Sequence, residues 1–367
     1  MRYIGNKTRL IPFLLEAVER IGGPPGVACD PFAGTASVGR ALKTRGWRVH
    51  AGDLMASSYA LQVARVELDR TPRFPAQLAS AEGNGSGGAR SRASISYTRL
   101  LERLARLPAR GGFLTEHFTP AGQAGAAHGR MYFTPENARR IDTVREAIRE
   151  WREANLVDHR REQLLVATLI EAADRVANTT GVYASFVKSW QPNAGRPLEL
   201  RPLRPVSATT GRGSTAFHGS ALELARRVGA IDLAYLDPPY NERQYPAYYH
   251  VPELLAEGWN PPPPLRGKTG LIPDEDRRSE WCRRATCESA LSGLLRDLDA
   301  RHILLSYNDE GLLSVEQIEA ALREAGNPDT YQCFQQEYQR YRSDGDHAGR
   351  RYTRNSVHER LHYVRRS

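Results

Sequence analysis

VACDPFAGTASVGRALKTRGWRVHAGD, Val27 to Asp53, decides the fold. Val27-Ala28-Cys29 is a short apolar run that ends at Asp30, and Arg48 to Gly52 is a second run that ends at Asp53. Thr35 to Thr44 between them has a helical period. Strand, glycine-bearing turn, helix, strand is the opening of a parallel α/β sheet. Upstream, Leu10, Phe13, Leu14, Ala17, Val18 and Ile21 form one face of a helix over Thr8–Ile21. Thr8 is its expected N-cap and Pro12 falls in its first turn, and the glycines and prolines of 22–26 end it.

The parallel pattern resumes at Ile231-Asp232-Leu233-Ala234-Tyr235-Leu236, a buried type of strand ending at Asp237. A helix at Ala290–Leu298 leads to a further buried strand, Ile303–Tyr307. Tyr331–Tyr341 and Ser356–Val364 alternate like the arms of a β-hairpin. The intervening chain reads differently. Residues 79–94 are Gly/Ser-rich and expected to be a mobile loop. Pro135–Asn178 is mainly helical, with Leu164, Leu165, Leu169, Ile170, Ala173 and Val176 as its apolar face, and Arg196–Pro205 is extended. The expected organisation is a core of 1–66 and 215–367, split by an insertion of 67–214.

Composition narrows the class. With 367 residues there is room for two domains, and a 40% hydrophobic fraction supports a packed core. The four cysteines (Cys29, Cys282, Cys287, Cys333) form no CxxC pair. Neither a disulfide framework nor a structural metal site is expected, and a reducing, cytoplasmic setting fits. No signal peptide and no apolar run long enough to span a bilayer are read, so no membrane partner is expected. The net charge of +9 points towards a polyanion. Its distribution says more: Arg90 to Arg110 holds six arginines against Glu102 alone. Arg340 to Arg366 holds eight arginines against three acids, with Tyr341, Tyr352 and Tyr363 interleaved. Guanidinium groups among aromatics suit phosphate contacts and base stacking.

Three points carry chemistry. In Asp30-Pro31-Phe32-Ala33-Gly34-Thr35, Gly34 lets a ligand approach the backbone at a helix N-terminus. Asp53, closing the next strand, can accept both hydroxyls of a ribose. The chain has no GxGxxG here, and an acid at this turn is wrong for pyrophosphate; it suits a cation, such as the amino-acid end of S-adenosylmethionine. Asp237-Pro238-Pro239-Tyr240 is the strongest signal. Its prolines hold the backbone extended and offer no N–H. The Asp237 carboxylate and the Pro238 carbonyl can accept both hydrogens of an exocyclic amine, and Tyr240 is a flat surface for an extruded base. His218, His250 and His302 read as structural or surface residues, and no metal is required.

With these residues in hand, the chain resembles the Dam-like DNA adenine methyltransferases, particularly the FokI-type modification methylases. The resemblance runs through Arg2-Tyr3-Ile4-Gly5-Asn6-Lys7, Asp30–Thr35, Asp53, Gly181-Val182-Tyr183, Lys188-Ser189-Trp190, Asp237–Tyr249, Lys268-Thr269-Gly270 and Ser306–Gly311. It implies a Rossmann-like S-adenosylmethionine-dependent methyltransferase core with a C-terminal β-hairpin and an inserted, mainly helical target-recognition domain. By that resemblance Tyr3, Lys7, Asp30, Phe32, Gly34, Thr35, Asp53, Leu54 and Asp237 would hold the cofactor, S-adenosyl-L-methionine. Asp237, Pro238, Pro239 and Tyr240 would hold the target base. Arg90, Arg92, Arg99, Lys188, Arg243, Tyr245 and Lys268 would contact DNA. One departure stands out: Ser220 occupies a place where such enzymes often carry an acid near the cofactor adenine. A hydroxyl there can still bond the amino group, though more weakly.

The reaction implied is direct transfer of a methyl group to an exocyclic nitrogen of adenine in a specific duplex sequence, after base flipping. The absence of a Pro-Cys dipeptide at a strand end matches a route with no covalent intermediate. The same geometry at Asp237 serves the cytosine amine, and RNA fits less well. Intact Lys7, Asp30, Asp53 and Asp237–Tyr240 argue against a non-catalytic DNA-binding protein. The expected partners are double-stranded DNA and a cognate restriction endonuclease, with the enzyme a nucleoid-associated monomer.

Overall fold

The computed structural model describes residues 2–3, 5, 7–79, 94–207, 213–309, 311–339 and 356–366. The Gly/Ser-rich stretch, Arg90, Arg92 and the first part of the Arg340–Arg366 cluster therefore lie outside the described residues. The chain forms two compact units: Tyr3–Gln62 with Val206–Pro246 and Asp274–Ser367, and Met1–Arg2 with Val63–Pro205 and Ala247–Pro273.

In the first of these units the elements follow in chain order as α1 (Ile11–Ile21), β1 (Val27–Asp30), α2 (Ser37–Thr44), β2 (Arg48–Asp53) and α3 (Ala56–Gln62). The chain re-enters with β3 (Thr215–His218), α4 (Ala221–Val228), β4 (Ile231–Leu236), α5 (Cys287–Asp297), β5 (Ala300–Asn308), α6 (Val315–Ala325), β6 (Asn327–Gln339) and β7 (Ser356–Arg365). The strands build one seven-stranded sheet in the order β3-β2-β1-β4-β5-β7-β6. β1 pairs in parallel with both β2 and β4, with Ala28 opposite Val49 and Leu233. β7 pairs antiparallel with β5 and with β6, so it alone runs against the rest.

Parallel strands need cover on both faces, and β1 and β4 are correspondingly buried along almost their whole length. Leu236, Ile303 and Leu305 pack with Leu224 of α4, Leu294 of α5, and Ile318 and Leu322 of α6. Each such side chain stabilises the fold by about 1.5–3 kcal/mol. From β1 the crossover leads to β2 on one side; from β4 it leads to β5 on the other. Right-handed crossovers in opposite directions put their helices on opposite faces. They also open a crevice at the C-terminal ends of β1 and β4, where ligands of open α/β sheets bind. Asp30 is the last residue of β1, and Asp237 follows β4 directly.

Local details correct the sequence reading. Thr8 is not an N-cap: Lys7–Leu10 forms a 3₁₀ turn, α1 starts after Leu10, and no side chain caps it. Pro12 in its first turn removes one donor that a cap would otherwise satisfy. α2 starts at Ser37 rather than Thr35, because Ala36 takes a left-handed conformation (φ 60°) before the helix.

The other unit is mainly helical, with helices at Tyr97–Arg106, Phe113–Phe118, Gln123–Ala127, Pro135–Glu153 and His159–Val176. Residues 247–273, which the sequence reading left with the core, cluster with it. Ser96, Thr134 and Asp158 cap three of these helices by accepting from the amides of Arg99, Asn137 and Arg161. All six residues of the apolar face expected on His159–Val176 are buried. No helix among the described residues is long and apolar enough to cross a membrane.

Asp142 is a buried tie within this unit. Its carboxylate accepts the amides of Gly112, Leu114 and Thr115 at 2.8–2.9 Å and the Thr115 hydroxyl at 2.6 Å, at the N-terminus of Phe113–Phe118. Asp142→Ala leaves three backbone donors without an acceptor and should lower unfolding stability by about 3 kcal/mol. Denaturant titration of the variant checks this; a loss below about 1 kcal/mol would mean that water replaces the carboxylate.

Candidate active site

The crevice at the ends of β1 and β4 holds a cavity of about 280 Å³. It gathers, within one unit, Tyr3, Lys7, Asp30, Phe32, Gly34, Thr35, Asp53, Leu54 and Ser220 from the expected cofactor residues. Asp237, Pro238, Pro239, Tyr240 and Tyr245 line it too.

On the β1 side, the turn after Asp30 is held by β2. The Ala33 amide donates to the Gly52 carbonyl at 2.9 Å, and the Gly34 amide donates to Asp53 Oδ2 at 2.9 Å. Asp53 Oδ1 accepts from Met55 N–H at 2.9 Å. The Gly34 N–H is therefore spent inside the protein, on the carboxylate it orients. Gly34 has a φ of 49°, and a Cβ there would stand 3.1 Å from the Tyr3 ring. Glycine thus serves both the left-handed turn and the close seat of Tyr3. Burial raises the Asp53 pKa to about 6, against the pull of its backbone donors.

Asp30 is 1% exposed, and its Oδ1 is buried with no hydrogen-bond partner. Burial, and then the neighbouring Asp237 carboxylate, hold its pKa well above the ordinary range. A buried acceptor oxygen without a donor suits a cationic ligand group. Asp53 adds a half-buried carboxylate fixed by two amides. These residues fit a nucleoside cofactor that carries an ammonium group.

On the β4 side, residues 237–240 have no regular secondary structure, as two prolines dictate. Lys7 Nζ lies 3.1 Å from Asp237 Oδ1 and 2.5 Å from Glu359 Oε1. Burial by itself would discharge Lys7, but the two carboxylates outweigh it and hold its pKa well above normal. Burial raises the Asp237 pKa to about 7; Lys7 pulls it down and Glu359 pushes it up. Asp237 thus exchanges its proton near neutrality.

Ser220 does line the cavity, but it is also the N-cap of α4. Its hydroxyl accepts the Glu223 amide at 3.2 Å and donates to Glu223 Oε2 at 3.0 Å, in a complete capping box. His218 stacks on Tyr59, His250 bonds the Thr269 carbonyl, and His302 bonds the Tyr363 hydroxyl.

The expected DNA contacts are dispersed. Arg243 is exposed in the unit that holds the cavity; Arg99, Lys188 and Lys268 are exposed in the other. Sequence reasoning missed Trp281, which meets Phe32 edge-on at 4.8 Å, and Gln244, which clamps the Ser279 backbone through both amide atoms. It also passed over Glu359. The available signal was an acid in phase with Val357, Leu361 and Tyr363, the alternating apolar positions of the C-terminal strand.

Comparison with known proteins identifies the family. A family model described as D12 class N6 adenine-specific DNA methyltransferase matches residues 3–321. The chain is 34% identical over 372 residues to the type II methyltransferase M.NlaIII of Neisseria lactamica, each chain being covered completely. It is 32% identical to the type II methyltransferase M.FokI of Planomicrobium okeanokoites and 29% identical to the modification methylase StsI of Streptococcus sanguinis. It spans 53% and 52% of those two proteins. No solved structure matches it. The family decides the target in favour of adenine N6 over the cytosine amine, which the residues at Asp237 alone left open. With carboxylates at the topological switch point of its seven-stranded sheet and a family match over residues 3–321, the chain belongs to the D12 class of N6 adenine-specific DNA methyltransferases.

Proposed function

We propose that this enzyme takes its methyl group from S-adenosylmethionine and transfers it directly to N6 of an adenine swung out of a specific duplex sequence. The observation that supports this best is the pairing of Asp30 and Asp237 at the ends of adjacent strands, with Lys7 the cation against Asp237. When bound, the cofactor supplies an electrophilic methyl carbon on a sulfonium. Asp30 would hold its ammonium group, Asp53 its ribose, and Tyr3, Phe32, Gly34, Thr35 and Leu54 would enclose it. The Ser220 cap uses its proton and one lone pair, so its second lone pair could accept from the cofactor's adenine amino group.

The target amine is a poor nucleophile because its lone pair is delocalised into the ring. Hydrogen bonds from its two N–H groups to Asp237 Oδ2 and the Pro238 carbonyl would pull the nitrogen towards tetrahedral geometry and localise that pair. Lys7 meets the other oxygen, Oδ1, so these roles do not compete. Tyr240 would stack on the base and Pro239 stiffen the loop beneath it. The methylated nitrogen must shed one proton, and an Asp237 carboxylate with a pKa of about 7 is suited to receive it. Fixed acceptors and proximity do the work. The helical unit, with the exposed Arg99, Lys188 and Lys268, would bind duplex phosphates and read the sequence, together with Arg243 and Tyr245 of the core.

Asp237→Ala should reduce methyl transfer by about 10³-fold while duplex binding stays within a few-fold. Tritiated methyl incorporation into unmethylated DNA, beside a gel-shift titration, measures both. Transfer near the wild-type rate would remove Asp237 from the mechanism. Because only the carboxylate form of Asp237 offers a free acceptor at both oxygens and can receive the departing proton, kcat/KM should climb with pH through about 7 and level off above it. A single-turnover profile that is flat from about pH 5.5 to 9 would contradict that role. Arg99, Arg106 and Arg110 are exposed, and replacing all three by Gln should lower the slope of log affinity against log salt by about one for each phosphate no longer neutralised. An unchanged slope would take this segment off the DNA.

A further inference from the structure

Glu359 lies in β7, opposite Asn308 of β5 and Gln336 of β6, in the interior of the sheet. It is 1% exposed and lies beyond residue 321, where the family match ends. A carboxylate buried between two strands destabilises a sheet unless it is paired, and an apolar residue would fill the position without that cost. Its Oε1 accepts from the Ser306 hydroxyl and stands 2.5 Å from Lys7 Nζ. Its Oε2 is buried with no hydrogen-bond partner. Lys7, in the turn before α1, continues to Asp237 Oδ1 at 3.1 Å. A chain of charge therefore runs from β5 and β7 through one ammonium to the acid at the end of β4.

We propose that Glu359 is a positioning residue for methyl transfer: it pins the Lys7 ammonium from the sheet side, so that Lys7 meets one oxygen of Asp237 as a fixed counter-ion and leaves the other to the target amine. The inference rests on the role given to Asp237 above. Glu359 touches neither the base nor the methyl donor in this scheme; it acts through Lys7. Its contact with the ammonium is shorter than that of Asp237, so Lys7 is anchored to the sheet first and shared with the loop second. Without the anchor, the buried lysine would be free to close on both oxygens of Asp237 and compete with the amine. The charged and titratable groups acting on Asp237 are Lys7 and Glu359, with Asp30 and Tyr235 coupled to it. Glu359 therefore also raises the proton affinity of Asp237 by simple repulsion. Removing charge and removing the acceptor are separable.

The test compares the full-length enzyme with Glu359→Ala, Glu359→Gln, Lys7→Met and the double variant Lys7→Met/Glu359→Met, on unmethylated DNA with S-adenosylmethionine. Thermal unfolding is followed alongside. Glu359→Ala should lower kcat at least about tenfold, with both KM values within about threefold. Glu359→Gln keeps an acceptor for Lys7 and should recover most of that loss. Its acid limb of kcat should move to lower pH, because a like charge beside Asp237 has gone. In the double variant an apolar pair replaces the buried ion pair, and kcat should be no lower than for Lys7→Met alone. The proposal is overturned if loss of Glu359 costs the same factor with and without Lys7. It is equally overturned if folded Glu359→Ala keeps the wild-type kcat and pH profile. Should Glu359→Ala fail to fold, the Gln and double variants decide by the same criteria. Activity surviving Asp237→Ala would instead sink the underlying reading, which is a different measurement.

Discussion

Two carboxylates placed at the ends of adjacent parallel strands repel each other, and the cavity is organised around that repulsion. Asp30 ends β1 and Asp237 follows β4, the two strands between which the sheet order reverses. Both lie where solvent screens them poorly, and the Asp237 charge raises the energy of the charged form of Asp30. One resident ammonium, Lys7, answers Asp237; Asp30 retains an oxygen without a donor. A site built this way has a standing preference for positive charge. It also exchanges protons near neutrality instead of remaining fully ionised.

The same constraint explains why the turn after β1 is spent internally. At a phosphate-binding turn the free amides point at the ligand. Here the Gly34 amide points at Asp53, so the turn displays carboxylate rather than N–H. In the proposed function, the turn that in dinucleotide enzymes attracts anions would instead receive a cation and a pair of hydroxyls. The negative charge is held by backbone donors in the turns that follow β1 and β2.

Much of this could be read from the sequence because the deciding signals are local. β1 and β4 are largely apolar runs that lead to an acid, β2 is a short run that ends at one, and the strands end where those runs end. The prolines after Asp237 allow one kind of backbone. What escaped is of two kinds, backbone detail at helix starts and partners distant in the chain. Ser220 looked like a ligand-facing hydroxyl, yet the glutamate three residues later completes a capping box that engages it. Thr8 looked like a cap until a 3₁₀ turn moved the helix start beyond it. Residues 247–273 carry no boundary signal, and only packing assigns them to the helical unit. Glu359 and Lys7 are 352 residues apart and meet through sheet order alone.

That meeting also bears on why lysine stands at position 7 in a chain with only four lysines. Arginine presents a planar fork that pairs best with both oxygens of one carboxylate. Lys7 instead contacts one oxygen from each of two carboxylates, carried by different strands and pulling in different directions. A compact ammonium with three rotatable donors serves that geometry. A guanidinium would have to choose one partner, and choosing Asp237 would occupy the oxygens that the target amine requires. The composition bias towards arginine is therefore suspended where a point charge must be divided, and in the proposed mechanism the division keeps the acid at the end of β4 available to a base.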